Sequence, residues 1–269
     1  TLEAIHIATS SYSLRRSHQY LEEAQSLYDK SKNDLSEHEE ILAKLQLRLV
    51  ESEIAFYEGD TEKAQANLNK VMKGCNFSVL SPENSPAQFK HSLIRLRALA
   101  TRLSGNLAVR LAKLGLAIQH YEQALQDLAT LNRPPSELCS IEASITWALM
   151  RDGKTQEAKL RSERALESMQ NHKNPTPMMR NAWARHYDTL GQIAMGRNEL
   201  DDAHALFLAA QALRRVNGSI SLLAHSTGNI AGVLALKGEW RNSAEAFEQV
   251  ADQWASLGNL EMECIGRLN

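Results

Sequence analysis

Four arginines in the middle of this 269-residue chain, Arg102, Arg110, Arg151 and Arg185, stand in short series with polar and aromatic residues. Arg102, Asn106 and Arg110 are four residues apart, as are Trp147 and Arg151, and His225 and Asn229; Arg185, Asp188 and Gln192 follow at steps of three and four. Such steps put each series on one face of a helix. A guanidinium's planar fork grips a carboxylate or phosphate through two parallel hydrogen bonds, and Trp147 is an apolar anchor of the type that concentrates binding energy. With at most two acids nearby, the chemistry on offer is recognition of a negative group. The plainer alternative is that these arginines form i,i+4 ion pairs that only solvate their helices.

Catalytic signatures are missing. There is no GxxxxGK[ST], no GxGxxG after a strand, no HExxH and no GxSxG, so the common nucleotide, zinc-protease and hydrolase patterns do not occur. Nine histidines are scattered from His6 to His225 with no pair at metal-ligand spacing on one helix face. His186 and His225 fall near the openings of helices and either meet a ligand or are ordinary surface or hydrogen-bonded histidines. The run Glu37-His38-Glu39-Glu40 reads as an exposed first turn, where negative charge suits the helix dipole. No enzyme activity, cofactor or metal is expected.

Three widely spaced cysteines, Cys75, Cys139 and Cys264, make no disulfide framework, which points to an intracellular setting, cytoplasmic or nuclear. A formal charge of −2 supplies no global field for nucleic acid or an acidic membrane. No run approaches eighteen apolar residues. A protein or peptide is therefore the expected partner.

The elements that must carry these residues are helices. Only 13 Gly and 6 Pro interrupt a chain rich in good helix formers, and alternating strand patterns are scarce. A cassette returns about every forty residues: a small residue at Ala24, Ala64, Ala117, Ala158, Ala203 and Ser243, at steps of 40, 53, 41, 45 and 40. Four residues later stand Tyr28, Leu68, Tyr121, Phe207 and Phe247, with Ser162 as the exception; three further on stand Ser31, Val71, Ala124, Ala165, Ala210 and Val250. Gly59, Gly153, Asn198 and Gly238 each lie five residues before a small residue, where a helix would end in a left-handed turn. Each unit is thus helix A, tight turn, helix B, an antiparallel hairpin.

The order Leu190-Gly191, Gly196, Leu200, Ala203, Phe207, Ala210 resembles the tetratricopeptide repeat. The step exceeds that family's usual ~34 residues and the closing proline is missing, so the array is more similar to the long-helix variety of bacterial regulators of the MalT type. The resemblance implies an all-α, right-handed α-α superhelix whose A helices line a concave groove. It makes Arg102, Asn106, Arg110, Trp147, Arg151, Arg185, Asp188, Gln192, His225 and Asn229 the groove residues. It also implies a scaffold that holds an extended, acidic or phosphorylated segment of a partner protein within a larger assembly. A clamp for a terminal carboxylate is only partly matched, because Ser144 and Thr189 stand at two of its positions. The alternative function is a ligand- or effector-sensing domain of a multidomain signalling protein of the MalT/LuxR or STAND kind.

The expected organisation is one elongated domain of about six hairpins, near 1–35, 36–73, 89–131, 136–171, 177–215 and 219–257, with a partial next helix at 259–269. An inter-repeat loop at 74–88 carries Ser81-Pro82 and Ser85-Pro86, a docking or phosphorylation segment or a plain insertion. Neither end carries a polar cap, which suggests a segment of a longer protein or ends covered by a partner. Gly228 and Gly232 lie four apart among polar residues and permit close approach of a neighbouring helix or of a bound chain.

Overall fold

A computed structural model describes residues 14–80, 86–131, 135–169 and 171–268. Among them are twelve helices and no strand. We number them α1 (Leu14–Ser31), α2 (Glu37–Glu58), α3 (Thr61–Leu80), α4 (Ala87–Arg110), α5 (Leu114–Ala129), α6 (Pro135–Arg151), α7 (Thr155–Met169), α8 (Pro177–Gly196), α9 (Leu200–Asn217), α10 (Ile220–Leu236), α11 (Trp240–Ser256) and α12 (Leu260–Leu268). The chain divides into two compact units, Thr1–Arg133 and Pro134–Asn269. The first holds α1 to α5 and the second α6 to α12. None of the described helices is long and apolar enough to cross a membrane.

Five hairpins share one turn. In each, a left-handed residue ends helix A: Gly59, Ala112, Gly153, Asn198 and Gly238, with φ between 56° and 86°. The next residue's N–H then reaches back to a carbonyl five positions earlier. These bonds run from Asp60 to Ala55, Lys113 to Ala108, Lys154 to Leu149, Glu199 to Ala194 and Glu239 to Leu234, at 2.8–2.9 Å. This closure satisfies carbonyls that the helix end would otherwise leave unpaired. Ala112 fills the place without glycine's freedom, so the sequence carries no turn signal there.

The cassette explains how each hairpin closes. Ala64, Ala117, Ala158 and Ala203 are fully buried and Ser243 nearly so, and all five are the fourth residue of their B helix. In two hairpins the bulky residue four places on presses against a glycine sixteen positions earlier on helix A. A Cβ at Gly105 would lie 2.5 Å from the Tyr121 ring, and one at Gly191 2.6 Å from the Phe207 ring. Ser52, Thr146 and Ala231 hold the same place in the other hairpins. Ser52 and Ser243 tie their hairpins by donating to the carbonyls of Ala64 and Ala231 at 2.7 and 2.9 Å.

The exception, Ser162, is answered from the next hairpin. His186 of α8 is buried beside it, with Nδ1 3.3 Å from Ser162 Oγ and 3.4 Å from Thr146 Oγ1. An imidazole thus stands where other repeats place an aromatic or Leu.

Three expectations change. Ala24 is the eleventh residue of α1, not the fourth, so the first copy does not share the hairpin geometry; its expected helix A lies outside the described residues. The predicted loop at 74–88 begins too early, because α3 continues to Leu80. Gly74 is a packing glycine, not a breaker: a Cβ there would meet Leu45 Cδ2 at 2.5 Å. Ser81 and Ser85 lie outside the described residues. His38, expected to be solvated, packs edge-on against Phe89 at 4.4 Å. Its neighbours do form an exposed first turn, with a capping box between Ser36 and Glu39.

Candidate functional site

In the first unit α4 carries Arg102, Asn106 and Arg110 along one side. Each is committed differently. Asn106 Oδ1 accepts the Tyr121 hydroxyl at 2.7 Å, so it serves its own hairpin. Arg110 donates to the Phe56 carbonyl and its guanidinium lies 4.1 Å from the Phe56 ring centre. It therefore braces the C-terminal end of α2, where a cation suits the helix dipole. Arg102 is half-buried and its Nε is buried with no hydrogen-bond partner among the described residues.

In the second unit the remaining seven predicted residues fall on the A helices α6, α8 and α10. Trp147 is half-buried, and by repeat register it takes in α6 the place that Gln192 takes in α8. Arg151 is exposed near the end of α6 and makes no ion pair among the described residues. Arg185 ties α8 to α6, donating from Nη2 to Ser144 Oγ at 3.1 Å and from Nη1 to the Ser140 carbonyl at 3.4 Å.

Asp188, Gln192 and Asn229 come together in a polar seam between α8 and α10. Asn229 Nδ2 donates to Asp188 Oδ1 at 3.2 Å, and Gln192 Nε2 donates to Asn229 Oδ1 at 3.5 Å. Behind them stands a residue that the sequence reading missed. Arg214, buried near the C-terminal end of α9, donates from Nη2 to Asp188 Oδ2 at 2.5 Å and from Nη1 to Ser226 Oγ at 2.7 Å, with Nε 3.5 Å from Asn181 Oδ1. Buried ion pairs need this density of hydrogen bonds to offset desolvation. The signal was in the cassette: Ala203, Phe207 and Ala210 predict an inward position at 214, and the other B helices there have Cys75, Leu128, Met169 and Trp254.

This changes the electrostatic count. Asp188 is neutralised by Arg214 and Arg185 is tied to Ser140 and Ser144, so Arg151 is the exposed cation among the predicted residues of α6 and α8. His225 adds no charge at neutral pH. Its ring keeps an exposed edge while the other side stands against Trp254, T-shaped at 5.2 Å. Burial by the surrounding protein, then the Arg214 charge, lower its pKa, against a weaker opposing pull from Asp188.

No group of three or more potential metal ligands occurs among the described residues. Burial pushes the Cys75 thiol up to about 12 and raises that of Cys139, so neither is a thiolate nucleophile at neutral pH.

No family model matches the chain, and no curated protein does. Solved structures do. The apo form of the quorum sensor NprR from B. thuringiensis has a TM-score of 0.64 at 13% identity, over 98% of this chain and 67% of its own. A Rap protein complexed with Competence and Sporulation Factor has a TM-score of 0.63 at 12% identity, over 98% and 67%. BtubC (BKLC) from P. vanneervenii has a TM-score of 0.57 at 18% identity, over 95% and 92%. At these identities the likeness establishes the fold, an all-α array of tetratricopeptide-like helical hairpins.

Proposed function

We propose that the chain is a protein-interaction scaffold whose second unit holds an extended segment of a partner on the A-helix face of α6, α8 and α10. The observation that carries this reading is the Arg214–Asp188 pair. By neutralising Asp188, it leaves exposed Arg151 to meet an acidic or phosphorylated stretch, with half-buried Trp147 as the apolar anchor. Gln192, Asn229 and neutral His225 both donate and accept hydrogen bonds, as a main chain requires. Arg110 drops out of the binding set because it braces α2.

Peptide display against the whole chain, followed by fluorescence anisotropy of the selected sequences, tests this. Selected peptides should be acidic, and Arg151→Glu and Trp147→Ala should each weaken binding by about tenfold or more. Equal binding by both variants would rule out this face.

A sensing role is the second reading, favoured by the structural likeness to a quorum sensor and to a Rap protein solved with a factor bound. It differs in consequence: occupancy would have to change the behaviour of an attached module. Titration of the full-length protein with a selected peptide, read by the output module's activity, separates the two.

A further inference from the structure

Two uses recur among the glycines of this chain, and the pair in α10 serves neither. Gly59, Gly153 and Gly238 make left-handed turns. Gly105 and Gly191 clear room for an aromatic ring. Gly228 and Gly232 are interior to α10, yet a Cβ at Gly228 would meet only Val250 Cγ2, at 4.0 Å, and one at Gly232 would meet nothing within 4 Å. The expectation that they admit a neighbouring helix is not met.

The start of α10 is also short of local support, although the helix packs on α9 and α11. Like α8 it has no acidic residue in its first turn and no basic residue in its last, but unlike α8 it has no side-chain bond at its N-cap, Ser219. Thr227 Oγ1 bonds back to the Leu223 carbonyl at 2.9 Å, as Thr189 Oγ1 does to the Arg185 carbonyl in α8 at 3.0 Å, so this contact does not separate the two helices. By contrast α8 starts with Pro177 and with Thr176 capping Met179 N–H at 3.2 Å. α8 packs closely along α6 but meets α10 at few points, chiefly through the Asn229 bonds to Asp188 and Gln192.

We propose that α10 is a deformable wall of the α8–α10 seam: it opens locally around Gly228 and Gly232, breaking and remaking the Asn229 bonds while the Arg214–Asp188 pair stays intact. Its use as a gate for the partner segment rests on the reading above. The opening itself is a property of the free chain.

Hydrogen exchange of the whole chain, read by peptide mass spectrometry, tests it without an occupant. Amides of 224–236 should exchange on the order of tenfold faster than those of 182–195. Gly228→Ala and Gly232→Ala, for which there is room, should each slow α10 about fivefold, and together about thirtyfold, without slowing α8. Gly191→Ala, which drives a methyl into the Phe207 ring, should speed exchange. Equal protection of α10 and α8 in the unaltered chain would overturn the proposal. So would alanines that slow both helices alike, since the effect would then be global. Failure of peptide selection leaves these exchange rates untouched, so the two readings fall separately.

Discussion

The hairpins α4–α5 and α8–α9 are built on one interlock, and they differ in what that interlock leaves over. Gly105 under Tyr121 and Gly191 under Phe207 stand in the same register, and every position of the first hairpin maps to the second by a shift of 86 residues. At several mapped places the chemistry diverges, among them Leu128 becoming Arg214, Ala100 His186 and Ala112 Asn198. On the A-helix face Arg102 maps to Asp188, a reversal of charge. The inward residue of helix B accounts for it. Beside the apolar Leu128 a carboxylate would have no cation to meet from that position, whereas Arg214 requires one. Packing is thus repeated and polarity is local, so a repeat's binding character must be read with its neighbours.

The largest break in this comparison comes from Arg214→Leu, which restores the residue found in the other hairpin. It strands Asp188 as a buried, unpaired acid, and the expected loss is about 3–5 kcal/mol of stability by urea unfolding. Adding Asp188→Leu to give an apolar pair should recover most of that loss. A single variant that costs under ~1 kcal/mol would show that Asp188 does not depend on Arg214 for its charge balance.

His186 yields a pH test confined to the second hairpin. Burial, then the Arg185 charge, lower its pKa from 6.5 to about 3. Below 6.5 the unfolded chain binds a proton that the native state refuses, so stability falls as pH falls, by ~1.4 kcal/mol per unit down to the native value. At pH 5 the loss relative to pH 8 is about 2 kcal/mol. His186→Leu, which matches Leu68 at the place it fills, should remove that increment of acid sensitivity. A variant that loses stability between pH 8 and 5 as steeply as the parent would show that His186 takes up its proton in the native state.

Much of the hairpin geometry was legible because it is carried by residue size. Small residues at a fixed period, bulky ones four later and Gly or Asn five before are consequences of close helix contact and tight turns, and they mark four of the five turns correctly. What escaped are residues whose type and role diverge. Gly74 has the composition of a breaker and the job of a packing residue under Leu45. Arg214 has the composition of a surface residue and an inward place that only the cassette's spacing reveals. Arg110 was placed in a groove by its helix face, but a side chain that long reaches the preceding hairpin, and reach is set by tertiary distance.

Ala112 is the finest of these cases. It sits at φ 56°, where its counterparts are Gly59, Gly153, Asn198 at 63° and Gly238. A left-handed conformation costs an alanine roughly 1 kcal/mol because its Cβ crowds the following carbonyl, while the closing bond from Lys113 N–H to the Ala108 carbonyl, at 2.8 Å, is fully made. The turn is therefore held by the hairpin and opposed by its own residue. Ala112→Gly relieves that strain but also frees the unfolded chain, so the gain is smaller than the strain, on the order of 0.5–1 kcal/mol. Asn198→Gly should gain less, since asparagine already tolerates the conformation. Paired thermal unfolding of the two variants measures the difference, and a larger gain at 198 than at 112 would mean that the strain assigned to α4–α5 lies elsewhere.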